Sequence, residues 1–185
     1  MLIKSVFSGF GGQGVILMGY LLARAGMCEE KNVTCLPSYG AEVRGGTANC
    51  TVVIADEEIA SPVASEPEFA VLMNNPSLFR FQNQVASGGT IFLNSSMIES
   101  RPIRGDIEIY QIPANDLAKQ LGEDKVTNMV MLGAFIKESG LVSLEATGRV
   151  LKETFSNRSS HILRMNKDAL LLGYGYLEQE KKACP

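Results

Sequence analysis

The sequence predicts an α/β fold, with a mostly parallel sheet and helices on both faces. Three observations favour it. Short apolar runs alternate with helical segments through the first two thirds of the chain, and the last third is helical. A glycine-rich stretch, "SGFGGQGV" at 8–15, joins the first apolar run directly to a helical segment. At 185 residues, the chain is expected to form one domain over 1–185.

The first half supplies three predicted strands and one helix. In chain order these are a strand over 2–7, a helix over 15–27, and strands over 32–36 and 48–55. Pro37 is expected to end the second strand, because proline cannot donate a backbone hydrogen bond. The third strand runs into an acidic turn at 56–58, and the segment 48–59 is a candidate antiparallel hairpin.

The second half supplies the remaining strands and a largely helical end. Predicted strands cover 69–73, 90–93 and 107–112, and predicted helices cover 76–85, 115–121, 127–139, 143–157 and 159–177. Period-two alternation predicts the last strand. Gly140 is expected to stop one helix, and Ser143 with Glu145 to open the next.

Composition and charge exclude several function classes. A net charge of -3 argues against sequence-independent nucleic-acid binding, which needs a basic face. The apolar runs fall short of the roughly 20 residues that span a bilayer, and the start of the chain lacks the pattern of a secretory signal, so we expect a cytoplasmic protein. The four cysteines, Cys28, Cys35, Cys50 and Cys184, form no C-x-x-C pair, which favours buried free thiols over a metal or iron–sulfur site.

The glycine-rich stretch has the spacing of a dinucleotide fingerprint. Gly9, Gly11 and Gly14 satisfy G-x-G-x-x-G between a strand and a helix, and unpaired amides at a helix start can bind an anion. A dinucleotide site also needs an acidic residue at the end of the second strand to hold the ribose. That strand instead ends in "TCLPSYG". NAD or FAD is therefore disfavoured, and an anionic group of another ligand or a purely structural tight turn remain open.

Gln13 stands out within this stretch, since a turn does not need a side-chain amide. We expect that amide to hydrogen-bond either a ligand or a facing chain.

A second cluster, "PSYGAEVRGGTAN" at 37–49, follows the second predicted strand at the same carboxyl edge of the sheet, where open α/β sheets bind ligands. It contains Tyr39, Gly40, Glu42, Arg44 and Gly45. One interpretation is a surface Glu42–Arg44 pair on a loop. The other is a close approach to a ligand, with the Arg44 guanidinium on a carboxylate or phosphate.

Catalytic machinery is hard to find in the sequence. His161 is the single histidine, far in sequence from both clusters, and we expect a structural role for it. There is no G-x-S-x-G elbow, and Asn74 with Asn75 lacks the Gly-Asp-Gly partner typical of a thiamine diphosphate and magnesium site. A chain with a ligand-facing edge but no catalytic set is expected to work as part of something larger.

Taken together, "FGGQGV", "PSYGAEVRGGTANCTVVI" and "TNMVMLGAF" resemble the gamma subunit of the 2-oxoacid:ferredoxin oxidoreductases over essentially the whole chain. The second motif is most similar to the 2-oxoglutarate type, with the branched-chain 2-oxoacid and pyruvate types close. The resemblance implies a Rossmann-like domain in an enzyme that decarboxylates a 2-oxoacid to its acyl-CoA and reduces ferredoxin.

The resemblance also implies partners and site residues. Alpha, beta and ferredoxin-like delta subunits would carry thiamine diphosphate, magnesium and the 4Fe-4S clusters, and this chain would bind no cofactor by itself. The gamma domain helps to form the coenzyme A side of the active site. The residues that match the motifs are Gly11, Gly12, Gln13, Gly14, Tyr39, Gly40, Glu42, Arg44 and Gly45. Two alternatives are a stand-alone nucleotide-binding regulator and a purely structural scaffold subunit.

Overall fold

The computed structural model describes residues 1–40 and 46–183, with side chains up to Leu177. Within these ranges a six-stranded sheet has the order β2-β3-β1-β4-β5-β6. The strands are β1 (Leu2–Phe10), β2 (Asn32–Tyr39), β3 (Thr47–Ala55), β4 (Phe69–Leu72), β5 (Thr90–Asn94) and β6 (Glu108–Ile112). The α-helices are α1 (Val15–Cys28), α2 (Asn75–Phe81), α3 (Ala114–Gln120), α4 (Thr127–Ser139), α5 (Leu144–Thr154) and α6 (Ser160–Ala183).

The sheet is mixed, and one strand runs against the rest. β1, β4, β5 and β6 pair in parallel, whereas β3 pairs antiparallel with β1 on one side and with β2 on the other. The antiparallel hairpin is therefore β2–β3, and the hairpin suggested over 48–59 is wrong. Both edges of β3 are already paired, so the chain that follows Ala55 has no free edge to join, and residues 56–68 form no strand.

The second strand is longer than the sequence predicts. β2 continues through Pro37, which lies opposite Cys50, and reaches Tyr39. β2 is an edge strand with β3 as its neighbour in the sheet. A proline is tolerated there because its missing N–H can face away from the ladder.

Helices cover both faces of the sheet, as predicted, but unequally. Alternate residues of a strand point to opposite faces. Phe7 accordingly belongs to a large core beneath α1, α4, α5 and α6, and Val6 belongs to a smaller core that includes Leu78 of α2. The predicted α/β class is confirmed. None of the helices in the described ranges combines the length and hydrophobicity that crossing a membrane takes.

An aromatic cluster seats α4 on the sheet. The ring of Phe135 makes edge contacts with Phe7, Phe69 and Phe92 of three strands, with centroid distances of 5.2, 5.7 and 5.5 Å. Edge-to-face packing of this kind adds to the free energy of burying the rings. Because Phe135 fixes α4 in position, the start of α4 is also fixed relative to the glycine-rich loop.

The cysteines are not all buried, contrary to expectation. Cys50 is buried, whereas Cys28 at the end of α1 and Cys35 on the edge strand are exposed. Both exposed positions lie at the margins of the sheet and its covering helix, where less of the chain packs over them.

Gly133 of α4 and Gly173 of α6 let the two helices approach closely, and this contact can be tested. A Cβ atom at Gly133 would lie 2.0 Å from the Leu170 carbonyl oxygen. We expect Gly133→Ala to lower the free energy of unfolding by about 3 kcal/mol, because the helices must separate. Gly148→Ala is the matched control, since a Cβ there meets nothing within 4 Å. It should raise stability by about 0.5 to 1 kcal/mol, as alanine favours the helix. Urea unfolding measures both, and similar losses in the two variants would contradict the prediction.

Candidate functional site at the carboxyl edge of the sheet

A crevice is expected where the carboxyl ends of β1 and β4 meet. α1 follows β1 and packs in the larger core, while α2 follows β4 and packs in the smaller core on the opposite face. After β1 the chain therefore turns toward one face of the sheet, and after the neighbouring parallel strand β4 it turns toward the other face. This is a topological switch point, the place where open α/β sheets bind ligands.

The glycine-rich loop lies at this switch point. β1 runs to Phe10, and Gly11 and Gly12 then form an exposed turn. Gly12 and Gly14 have positive φ angles of 96° and 75°, which favour glycine. Gly14 is the N-cap of α1, and no side-chain hydrogen bond caps the helix there. The amides at the start of α1 therefore keep the partial positive charge that attracts an anion.

Gln13 links the glycine-rich loop after β1 to the start of α2 by hydrogen bonds. Its Oε1 accepts a hydrogen bond from the Phe10 backbone N–H at 2.6 Å and another from Asn74 Nδ2 at 3.1 Å. Asn74 also caps α2, because its Oδ1 accepts from the Ser77 backbone N–H at 2.9 Å. The sequence predicts that the Gln13 amide meets a ligand or a facing chain. The structure shows that its oxygen is used within the chain, where it fixes the shape of the loop.

The two sequence clusters meet at this edge. The Gly11 N–H donates to the Gly46 carbonyl at 2.9 Å, and the Gly40 N–H donates to the Thr47 carbonyl at 2.7 Å. Tyr39, at the end of β2, is 71% exposed. Glu42, Arg44 and Gly45 of the second cluster lie outside the described residues. Of the two residues that flank them, Gly46 contacts the glycine-rich loop and Gly40 is bonded to the start of β3.

Asn128 is a site residue that sequence reasoning missed. It lies in the first turn of α4, is 5% exposed, and its Nδ2 lies 3.4 Å from the Gly14 carbonyl oxygen. Its Oδ1 is buried and has no hydrogen-bond partner among the described residues. Its position in "TNMVMLGAF", one of the three motifs of the resemblance, is the sequence feature that could have identified it. α4 therefore completes the wall behind the glycine-rich loop.

Asn128 also lines a cavity of about 280 Å³. Its lining includes Leu17, His161, Met165 and Asn166. His161 is exposed at the start of α6 rather than packed in the core. In the part of the chain that the structure describes, no three His, Cys, Asp or Glu side chains gather as metal ligands.

The sheet order weakens the dinucleotide interpretation further. In the dinucleotide-binding fold the second strand lies beside the first, and its end carries the ribose acid. Here β3 lies between β1 and β2. With neighbouring strands about 4.8 Å apart, the end of β2 is displaced by one strand spacing from that position. β2 itself carries no acidic residue, and its end is displaced; both observations argue against a ribose clamp.

The contact of Gly14 with Asn128 generates a test. Both Gly14→Ala and Gly12→Ala force alanine into positive φ. A Cβ at Gly14 would also lie 2.2 Å from Asn128 Nδ2, whereas one at Gly12 meets nothing within 4 Å. We expect Gly14→Ala to lower the free energy of unfolding by at least about 1 kcal/mol more than Gly12→Ala. If denaturant unfolding shows the same loss of unfolding free energy in both variants, the Asn128 side chain moves aside without an energetic penalty, and the prediction is wrong.

Comparison with known proteins agrees with this architecture. The family model described as pyruvate ferredoxin/flavodoxin oxidoreductase matches residues 4–176. The chain is 36% identical over 173 residues to the ketoisovalerate oxidoreductase subunit VorA of Methanothermobacter thermautotrophicus, covering 92% of this chain and 35% of that relative. It is 34% identical over 154 residues to the 2-oxoglutarate synthase subunit KorC of Methanothermobacter marburgensis, covering 80% of this chain and 83% of that one.

A solved structure is also similar. The keto/oxoacid ferredoxin oxidoreductase gamma subunit of Geobacter sulfurreducens superposes with a TM-score of 0.80 at 26% identity, covering 94% of this chain and 96% of that one. This chain spans only about a third of the length of the VorA relative. The matched range, the relatives and the shared fold agree, and the chain belongs to the pyruvate ferredoxin/flavodoxin oxidoreductase family as a domain of the gamma-subunit type.

Proposed function

We propose that this chain acts as the gamma subunit of a multi-subunit 2-oxoacid:ferredoxin oxidoreductase, which decarboxylates a 2-oxoacid to its acyl-CoA and reduces ferredoxin. One observation carries the proposal: the hydrogen bond from Gly11 to Gly46 joins two sequence motifs into one surface at the switch point. If the glycine-rich stretch were only a structural turn, it would not need the second motif beside it.

The chemistry of this surface fits a non-autonomous role. Its described polar groups are backbone amides, the amide side chains of Gln13, Asn74 and Asn128, and the exposed phenol of Tyr39. Amides position a ligand or a partner through hydrogen bonds, and an amide does not act as an acid–base catalyst. The reacting groups then come from other chains, namely alpha, beta and ferredoxin-like delta subunits that hold thiamine diphosphate, magnesium and 4Fe-4S clusters. We place the assembly in the cytoplasm.

The proposed ligand of the surface is coenzyme A. Its phosphates carry the negative charge that suits the start of α1, where Gly14 leaves the helix without a side-chain cap. The proposed site comprises Gly11, Gly12, Gln13, Gly14, Tyr39, Gly40, Glu42, Arg44 and Gly45. Within it Gln13 acts through the loop shape, and Arg44 is assigned to a phosphate because a guanidinium can form paired bonds to its oxygens.

2-Oxoglutarate is the proposed 2-oxoacid, supported by the similarity of the second motif to the 2-oxoglutarate type and by the KorC relative. A branched-chain 2-oxoacid is the second candidate, because the VorA relative has 36% identity to this chain.

Isolation of the native assembly tests the proposed function. We expect the chain to co-purify with a thiamine-binding chain and a ferredoxin-like chain, and the assembly to reduce ferredoxin with 2-oxoglutarate faster than with 2-oxoisovalerate or pyruvate. Faster turnover of 2-oxoisovalerate would change the substrate but keep the enzyme class. A solitary oligomer that carries bound nucleotide would favour the regulator and contradict the proposal.

Substitution of Arg44 tests the coenzyme A contact. We expect Arg44→Ala in the assembled enzyme to raise the KM for coenzyme A about tenfold, because a charged hydrogen bond is lost, with little change in the KM for the 2-oxoacid. Arg149→Ala is the matched control, since Arg149 is an exposed residue of α5 that bonds Glu145 at 3.2 Å. An unchanged dependence of rate on coenzyme A in Arg44→Ala would contradict the assignment.

A further inference from the structure

Two cysteines that the proposed function does not use lie side by side. The Sγ atoms of Cys35 on β2 and Cys50 on β3 are 3.4 Å apart. In the antiparallel register Cys35 lies opposite Val52, and Cys50 lies opposite Pro37. The two thiols are therefore diagonal neighbours on one face of the sheet.

Their surroundings differ in a way that assigns them different roles. Cys35 is exposed on the edge strand, while Cys50 is fully buried in the core beneath α1. Gly19 of α1 packs on Cys50, and a Cβ there would lie 2.4 Å from the Cys50 sulfur. The buried thiol is thus held from behind and points toward its partner. A reagent in solution reaches Cys35 first.

The contact also sets which sulfur carries the proton. The hydrogen bond from the Cys50 thiol lowers the pKa of Cys35 to about 7, although partial burial opposes this. The same contact, together with burial, raises the pKa of Cys50. Near neutral pH, Cys35 is then substantially a thiolate, the nucleophilic form, and Cys50 keeps its proton.

We propose that Cys35 and Cys50 are a hydroperoxide-reactive pair that closes to a reversible disulfide. The Cys35 thiolate attacks an oxygen of the hydroperoxide, so that an S–O bond forms, the O–O bond breaks, and the leaving oxyanion takes a proton from water. The Cys50 sulfur then attacks Cys35, which forms the S–S bond and releases water with the proton of Cys50. In total the two thiols lose two electrons, and the hydroperoxide gains them.

The position on an edge strand makes the second step feasible. The sulfurs must approach by about 1.4 Å to reach the bond length of a disulfide. Among the described strands β2 pairs with β3 alone, so no second strand holds it against a small shift toward β3. The resulting bond would fasten the two strands that lead into and out of the second sequence cluster.

Mass spectrometry of the purified full chain tests this site. After treatment with hydrogen peroxide we expect a chain lighter by two hydrogens. When the remaining thiols are then alkylated, it should carry two fewer labels than the untreated chain, and digestion should give a cross-linked Cys35–Cys50 peptide that dithiothreitol cleaves. Cys28→Ser, which removes another exposed thiol, is the matched control and should form the same cross-link. Cys35→Ser should form none. Cys50→Ala should stop at a Cys35 sulfenic acid that dimedone traps.

Two results would overturn the proposal. One is a wild-type chain that gains oxygen at Cys35 without losing two hydrogens. The other is oxidation of Cys28 at the same rate as Cys35. If Cys50→Ala does not fold, the pH profile of Cys35 alkylation in the wild-type chain replaces it. We expect a midpoint near the pKa of about 7, and a midpoint near 8.5, the ordinary value for cysteine, would contradict the pairing.

Discussion

The antiparallel pairing of β3 with β1 is the constraint on which the candidate site depends. It runs from Leu2 opposite Ala55 to Phe10 opposite Thr47, so the start of β3 is fixed beside the end of β1. The pairing continues past the strand through the hydrogen bond from Gly11 to Gly46. A shift of one residue would move every side chain of β3 to the other face of the sheet, which the buried residues on both faces forbid. The meeting of the two motifs therefore follows from the packing of the core.

The same pairing decides between functions. By separating β2 from β1, it removes the position from which a dinucleotide fold holds the ribose, and it brings the second cluster against the glycine-rich loop instead. Gln13, Asn74 and Asn128 then hold that loop from two sides. A surface fixed in advance loses less conformational entropy when it binds, which suits a subunit that completes an active site on another chain.

Local signals predicted much of this fold. α4 begins and ends where the sequence indicated, because Gly140 adopts the left-handed conformation that stops it, and Ser143 caps α5 by accepting from the Ala146 N–H. The features that the sequence did not predict depend on contacts between segments that are distant in the chain. Whether Pro37 ends a strand depends on β2 being at the edge, and no local pattern shows this. The contacts of Asn128 with Gly14 and of Cys35 with Cys50 likewise arise only when the sheet and α4 have assembled.

Hydrogen–deuterium exchange on the assembled enzyme tests most directly whether the two motifs form one surface at a subunit active site. Exchange is compared between the isolated chain, the assembly and the assembly with coenzyme A. We expect the amides of residues 9–15 and 39–47 to exchange more slowly in the assembly, and more slowly again with coenzyme A. Unchanged exchange in both segments, with slowing confined to α2 on the opposite face, would contradict it.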